Sequence, residues 1–309
     1  MRSLRYYVNE DTLIIKGDLD GFSTGINGGR KRVRSIINHH VNKDFNHDDP
    51  VKYMDEVASK LGADFPYFGF MTAVYMENLC VVRDHLITAF ITAGISNPCH
   101  DPHVPGTINI ILIVHGKMSE GAIGSAVITA TEAKAKALFE MGFEFTGTTT
   151  DAVAVLTEVR DYGSLCEPAF YEYSGTYTNL GQSIYRCVKK GVTEGIKRQH
   201  AVVGNDKVKS RVFIYAQNEQ GPYWISHPSE ANGKGKCSYY PCHYEGQDCT
   251  HCFCPLYPCE DPEFGKWILS TKGYPVWTCM NCTLLHKPGA AVYLAKNPGS
   301  HTKELKELK

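Results

Sequence analysis

The chain has no surplus of either charge. Its 32 Lys and Arg face 33 Asp and Glu, a net charge of -1. A protein whose main partner is nucleic acid is disfavoured on that ground, because phosphate neutralisation needs an excess of basic side chains. Long apolar runs are also missing. The longest, Ile108 to Val114, is far too short to cross a bilayer. The N-terminus, MRSLRYYVNEDT, lacks an apolar core of signal-peptide length. These absences lead to the expectation of a soluble cytoplasmic protein with no membrane span. There are no internal repeats, no Gly-x-Gly-x-x-Gly after a strand, no Walker-type phosphate loop and no zincin motif. Cysteine is sparse in the first 236 residues, where only Cys80, Cys99, Cys166 and Cys187 occur.

What is present is enough for a folded chain of two domains. Hydrophobic residues make up 43% of the 309 and charged residues 21%, so a proper core can be buried. Two alternating runs, Leu4–Val8 and Thr12–Lys16, read as a hairpin. Residues 38–49 are rich in Asn, His and Asp and read as a loop, and Pro50 opens a helix with Val51, Met54, Val57, Ala58 and Leu61 on its apolar face. Strand-like runs follow at Phe68–Tyr75, Leu79–Arg83 and His85–Thr92. Thr107–His115 is almost continuous Ile, Leu and Val, as in a strand covered on both faces. Ser119-Glu120 starts an Ala-rich helix that Gly142 stops. Ala152–Glu158 is a further buried strand. Asn179-x-x-Gln182 has capping-box spacing before another amphipathic helix, and runs at 211–216 and 222–226 suggest a last hairpin. Paired early strands and late helices point to an α+β fold, with a mixed, largely antiparallel sheet and packed helices, plus a small metal-stabilised cysteine-rich domain. The expected divisions are a catalytic domain over 1–226, a Pro-, Gly- and Lys-rich linker over 227–236, the cysteine-rich domain over 237–295, and a charged tail over 296–309 with no reason to be ordered.

The other eight cysteines crowd into that second domain. Their spacing is Cys237-x4-Cys242-x6-Cys249-x2-Cys252-x-Cys254-x4-Cys259-x19-Cys279-x2-Cys282, followed by x3-His286. A Cys-x-x-Cys turn can place two sulfurs on one tetrahedral ion, and two such pairs occur. In a reducing compartment such a cluster favours metal over disulfides. The expected ligands are Cys237, Cys242, Cys249, Cys252, Cys254, Cys259, Cys279, Cys282 and His286, with His243 and His251 as spare candidates. An iron–sulfur cluster also needs four thiolates, but the spacing does not follow the usual ferredoxin runs. Zinc, as two structural ions, is expected. Residues 237–309 hold seven Lys, no Arg and seven Asp and Glu, so this near-neutral module reads as structural, or as a platform for a protein partner.

Upstream, three stretches are dense in small polar residues: Ser23–Gly29, Gly94–Pro98 and Gly147–Asp151. Small residues at strand ends let the backbone approach a ligand closely. A plain β-turn capped by Asp151 accounts for the last of them equally well, and Glu132 and Lys134 fit an ordinary solvated helix face. Taken in order, however, Ser23-Thr24-Gly25-Ile26-Asn27-Gly28-Gly29, Ala93-Gly94-Ile95-Ser96-Asn97-Pro98, Gly106-Thr107-Ile108-Asn109-Ile110, Ile128-Thr129-Ala130-Thr131-Glu132-Ala133-Lys134 and Gly147-Thr148-Thr149-Thr150-Asp151 resemble the adenosylcobinamide amidohydrolase family of corrinoid salvage. Ser174–Gly181 resembles its late motif, with Tyr177 standing where a histidine is expected. The likeness spans roughly residues 20 to 190. The Cys-rich region resembles a small cysteine-rich domain found fused to such enzymes.

The resemblance implies hydrolysis of the amide that joins aminopropanol to the corrin ring of adenosylcobinamide. Adenosylcobyric acid would then re-enter coenzyme B12 synthesis, with the corrinoid as substrate and not cofactor. Amide hydrolysis needs an activated nucleophile, oxyanion donors and an acid for the leaving amine. A Thr or Ser nucleophile and a carboxylate-activated water both remain open. Thr149, Thr150 and Asp151 are the expected catalytic residues, with Glu132 as base. Ser23, Thr24, Asn27, Asn97, Asn109 and Lys134 are expected to bind substrate, since Asn both donates to and accepts from the carboxamides of a corrin periphery. His85, His100, His103 and His115 are alternatives, and Cys99-His100-x-x-His103 has metal-like spacing. Two rival readings are a non-catalytic corrinoid-binding protein and a zinc-module adaptor of the same pathway.

Overall fold

Alternating and β-branched runs in the first 160 residues build one large sheet. The computed structural model describes residues 4–95, 106–158, 162–200, 211–218, 221–225, 240–251 and 254–308. Thus Asn97, Cys99, His100, His103, Cys237, Cys252 and the 227–236 linker lie outside the described residues. In chain order the elements are β1 (Arg5–Asn9), β2 (Thr12–Ser23), β3 (Gly29–His40), α1 (Pro50–Lys60), β4 (Tyr67–Thr72), β5 (Cys80–Arg83), β6 (Ile87–Ile95), β7 (Gly106–His115), β8 (Lys117–Met118), α2 (Glu120–Glu140), β9 (Ala152–Glu158), β10 (Phe170–Tyr171), α3 (Asn179–Gln199), β11 (Arg211–Asn218), β12 (Gly221–Ile225), β13 (Lys266–Leu269), β14 (Pro275–Thr278), α4 (Pro288–Lys296) and α5 (Thr302–Lys306). The ten-stranded sheet runs β12-β11-β5-β6-β7-β9-β2-β3-β4, with β1 on β2. Only β7–β9 and β3–β4 pair in parallel within it, so the fold is α+β with a mixed, mostly antiparallel sheet. The connection from β7 through α2 to β9 is nonetheless one βαβ unit, although no regular alternation of that kind is legible in the sequence.

One face of the sheet is covered by α2 and α3. The Ile108, Ile110, Leu112 and Val114 side of β7 packs there against Ile123, Ala126, Ala130, Ala133 and Ala137 of α2 and Leu180, Ile184, Val188 and Val192 of α3. Alanines on the inner stripe of α2 let the helix lie close to the strands. The alternate side chains, Ile111 and Ile113, enter a second cluster with Leu13, Ile15, Ile36, Phe68, Phe70 and Phe90. Each such buried apolar side chain contributes about 1.5–3 kcal/mol. The sheet curls so that β3 faces β6 and β7 across this second core. Asn38 Nδ2 donates to Thr92 Oγ1 at 3.0 Å, and Asn109 Nδ2 donates to Asn38 Oδ1 at 3.1 Å and to the Met71 carbonyl at 2.9 Å.

Local signals explain the ends of the helices. Asp49 caps α1 before Pro50, and the Ser119 hydroxyl accepts from Ala122 N. The capping-box expectation at Asn179 and Gln182 is corrected. The cap of α3 is Thr178, whose hydroxyl accepts from Gly181 N at 3.0 Å, so the box is one residue out of register. The charged tail is also corrected. It forms α5, because Leu305 is fully buried and Lys306 reaches Asp261 and Glu263 at 2.9 and 2.7 Å. Both carboxylates lie far from the tail in sequence, so the tail's composition gives no hint of its partners.

The cysteine-rich module has a small core of Leu256, Leu284, Leu285, Ala290, Leu294 and Leu305. It rests on the sheet's β1 and β5 side. Arg5 donates to the carbonyls of Gly299 and Ser300, the Arg83 guanidinium lies over the Tyr257 ring at 5.5 Å, and His85 stacks on Tyr274 at 4.2 Å. No helix among the described residues is long and apolar enough to cross a membrane.

Candidate active site and cysteine-rich module

Three segments meet at one end of the sheet, two of them the small-polar stretches Ser23–Gly29 and Gly147–Asp151. Ser23 closes β2 opposite Ala154, Gly106 opens β7, and Gly147–Asp151 leads into β9. Thr24 locks the first to the third: its hydroxyl accepts from Val153 N, and its own N–H donates to the Val153 carbonyl, both at 3.0 Å. At the centre is Asp151. Oδ1 accepts from Ile108 N at 2.8 Å and lies 2.5 Å from the Thr148 hydroxyl, while Oδ2 accepts from Thr148 N at 3.1 Å and from Lys134 Nζ at 2.5 Å. The Lys134 and Asp151 side chains are only 8% and 10% exposed. The Thr148 hydroxyl also lies 2.6 Å from the Gly106 carbonyl, so one proton serves two acceptors. Gly147 has to be glycine: an added Cβ would lie 2.4 Å from both Asp151 Oδ2 and Lys134 Nζ. Thr149 and Thr150 are exposed at the rim, and Thr150 Oγ1 meets Thr107 Oγ1 at 2.6 Å and the Gly106 carbonyl at 2.9 Å.

Lys134 is therefore no solvated helix residue, because it turns inward to Asp151. Glu132, two positions earlier on α2, is turned by roughly 200° about the helix axis and points outward. It is exposed and has no hydrogen bond or ion pair among the described residues. It lines a groove of about 830 Å³ between α2 and α3, with Phe139, Thr176, Gln182, Tyr185 and Arg186. That volume is in the usual range for small-molecule sites. The structure brings Thr150, Asp151, Lys134 and Thr24 to one sheet end but does not join Glu132 to them. Asn27 sits in the turn after Ser23 with φ 54. Asn109 is 1% exposed, and both of its donated hydrogen bonds stay inside the protein.

Of the histidine alternatives, His85 pairs with Asp84 at 2.6 Å, and Asp84 also holds Ser183 and Arg186. His115 Nε2 meets Thr88 Oγ1 at 3.1 Å. Motif reasoning also passes over Gly21-Phe22-Ser23-Thr24-Gly25, which has nucleophile-elbow spacing. The structure does not make it an elbow. Ser23 ends an antiparallel strand and not a strand-to-helix turn, is 1% exposed, and its hydroxyl accepts from Gly25 N at 3.0 Å.

With that geometry established, comparison with known proteins is direct. Residues 3–204 match the adenosylcobinamide amidohydrolase family. The chain belongs to that family. The family domain holds every strand of the large sheet except β11 and β12, with α2 and α3, and with them the Asp151 cluster and the groove. The chain is 44% identical over 196 residues to the adenosylcobinamide amidohydrolase of Methanosarcina mazei, covering 63% of this chain and 98% of that one. It is 30% identical over 205 residues to the enzyme of the same name from Halobacterium salinarum, covering 61% and 84%. A probable cobalt-factor III C(17)-methyltransferase of Methanothermobacter thermautotrophicus is 42% identical over 125 residues, covering 40% of this chain and 29% of that one. Family membership makes the chain an enzyme, an amidohydrolase. Residues 216–309 match a cysteine-rich small domain, a span that begins inside β11 although β11 pairs with β5 of the main sheet.

In that module the described cysteines are free thiols. Burial pushes the Cys254 thiol up to about 12, and Cys254, Cys259 and Cys282 pack against the module's apolar core. A second group surrounds Gln247, which is fully buried. Its Nε2 donates to Cys242 Sγ at 3.1 Å and to Cys249 Sγ at 3.2 Å. His286 Nδ1 faces the Asp248 carbonyl at 2.7 Å, which leaves Nε2 as the nitrogen with a lone pair to offer. The donor types fit a thiophilic ion, and buried amide N–H groups aimed at sulfur are what a thiolate requires. Among the described residues, no three Cys, His, Asp or Glu side chains stand together at metal-holding spacing.

Proposed function

We propose that the chain hydrolyses the amide linking aminopropanol to the corrin ring of adenosylcobinamide, with adenosylcobyric acid as product, and so serves salvage of corrinoids into coenzyme B12. The observation that carries this reading is the family match over residues 3–204, which takes in the sheet end and both groove-forming helices. The likeness to the adenosylcobinamide amidohydrolases of Methanosarcina mazei and Halobacterium salinarum supports it.

The residue roles follow from which lone pairs are free. Asp151 has four donors on its two oxygens, so it braces the Gly147–Thr150 turn through Lys134 and does not attack. Thr149 and Thr150 present hydroxyls at the rim, where they bind or attack the amide. Glu132, which does not meet Thr149 or Thr150, has both oxygens free to act as general base on a water in its own groove. Its groove mates Thr176, Gln182 and Arg186 offer donors to a carboxamide-rich periphery. Ser23, Thr24 and Asn27 shape the rim and hold it against β9. The cysteine-rich module holds zinc structurally, with its thiols as ligands.

The test is to incubate the full chain with adenosylcobinamide and follow the corrinoid by mass spectrometry. Loss of aminopropanol with gain of a carboxylic acid is the expected outcome. Tight binding of an unchanged corrinoid would instead make this a carrier. Glu132→Gln should lower kcat by about 10²–10⁴-fold, as is typical of an acid–base group, while the thermal unfolding midpoint stays put. Undiminished turnover would remove Glu132 from the chemistry and leave the function standing.

A further inference from the structure

The α3 wall of the groove carries an arginine whose hydrogens are only partly used. Arg186 lines the groove, and its side chain is 50% exposed. Its Nη2 donates to Asp84 Oδ2 at 3.0 Å and to Ser183 Oγ at 3.1 Å, which takes up both hydrogens of that nitrogen. Nη1 and Nε make no hydrogen bond among the described residues. Lys136, a cation on the facing wall, is drawn to Glu140 at 3.7 Å. Arg186 therefore has a charged N–H edge to offer a ligand, and that edge is anchored from behind.

The anchor is Asp84. It lies in the turn between β5 and β6, where its N–H donates to the Ile87 carbonyl at 2.9 Å and its Oδ1 accepts from Leu86 N at 3.2 Å. Oδ1 also meets His85 Nδ1 at 2.6 Å, and the His85 ring stacks on Tyr274 of the cysteine-rich module at 4.2 Å. Oδ2 accepts from Arg186 and, at 3.1 Å, from the hydroxyl of Ser183, which is 1% exposed. Two donors on each oxygen fill the lone-pair sites of a carboxylate. Burial pushes the Asp84 carboxyl up, but His85, Arg186, Leu86 N–H and Ser183 outweigh it and hold the group below the usual range. Asp84 is thus a fixed anion at the back of the groove. A half-exposed guanidinium without it would sample many rotamers, and ordering it on binding would weaken affinity. Held by one nitrogen, the planar fork presents the other two in a set direction.

We propose that Asp84 is the positioning residue of the groove and Arg186 its specificity-determining donor: the Nη1–Nε edge takes a carboxamide oxygen of the corrin rim, while Phe139 and Tyr185 face the flat apolar ring. This rests on the corrinoid reading given above and adds the residue that aims the groove's donor. The test uses the full chain. Turnover of adenosylcobinamide gives KM and kcat, and equilibrium dialysis gives Kd for adenosylcobyric acid, which keeps the corrin rim and is not turned over. Arg186→Ala should raise KM and Kd by about 10–100-fold, as expected for a lost charge-assisted hydrogen bond, with kcat little changed. Asp84→Asn should raise both by about 2–10-fold, because the ligand must then order Arg186 itself. The double variant should bind no more weakly than Arg186→Ala alone, since the two residues act as one unit. Arg186→Lys keeps the charge without the fork and should stay close to Arg186→Ala; it decides the matter should Asp84→Asn fail to fold. Wild-type KM and Kd in Arg186→Ala or Arg186→Lys, or additive losses in the double variant, would overturn the proposal and leave the function standing. Binding of adenosylcobyric acid by a wild-type chain that does not turn over adenosylcobinamide would remove the reaction, and the Kd series would still decide the roles of Arg186 and Asp84. A wild-type chain that neither binds the one nor turns over the other would overturn both.

Discussion

The hydrolase domain and the cysteine-rich module solve the problem of staying folded in different ways. The first buries two extended apolar clusters on either face of one sheet. Among the described residues, the second buries six apolar side chains in its own cluster, Ala290 and Leu294 of α4 among them. A core that small is marginal by itself, and the proposed zinc would supply what apolar area does not. The difference teaches where to look for chemistry. In the first domain, polar groups appear inside an otherwise apolar sheet end and need a reason. In the module, polar and sulfur groups are the scaffold.

The largest expected effect breaks the buried pair. Asp151→Ala leaves Lys134 Nζ without a partner in an almost closed site, which typically costs 3–5 kcal/mol. Denaturant unfolding should show that loss, and adenosylcobinamide turnover should fall with it. Gly147→Ala should act on the same pair from the other side, because its Cβ has no room between the two charged groups. Next in size is the apolar core. Ile111→Ala removes a fully buried side chain and should cost about 2–5 kcal/mol, with no change in metal content. Chelation under reducing conditions should invert that pattern. Amide exchange should speed up over 284–295 while the β7 amides stay protected.

The smallest effect lies on the surface. Arg30 spans Asp20 and Glu120 at 2.5 and 2.9 Å, and its hydrogen bond holds the Asp20 carboxyl below the usual range. The group is mostly exposed, so Arg30→Ala should cost no more than about 1 kcal/mol. A depressed carboxyl stabilises above its unfolded value near 3.9, so the difference should be full at neutral pH and vanish as pH falls through the folded value.

How much of this could be seen in the sequence depends on whether a signal was local. The run Thr107–His115 and the Ser119 start of α2 were legible because side-chain period and cap are short-range features. The cysteine spacing was legible for the same reason. The inward turn of Lys134 was not: a lysine inside Thr-Glu-Ala-Lys looks solvated until Asp151, 17 residues on, is known to sit beneath it. Asn109 reads as an amide reader until the sheet curls and brings Asn38 and Thr92 across to it. The tail looked free because Asp261 and Glu263 are distant in sequence. The Gly21–Gly25 spacing has the letters of a nucleophile elbow, but Ser23 ends an antiparallel strand and lacks the strand-to-helix turn that gives the motif meaning.

The division of labour between the two regions can be tested most directly by turnover of adenosylcobinamide in the full chain carrying Cys279→Ser. The account expects metal content to drop while loss of aminopropanol continues at close to the wild-type rate, since the Asp151 cluster and the Glu132 groove are untouched. Abolished turnover, in a variant whose β7 amides remain protected from exchange, would contradict it and move part of the chemistry into the module.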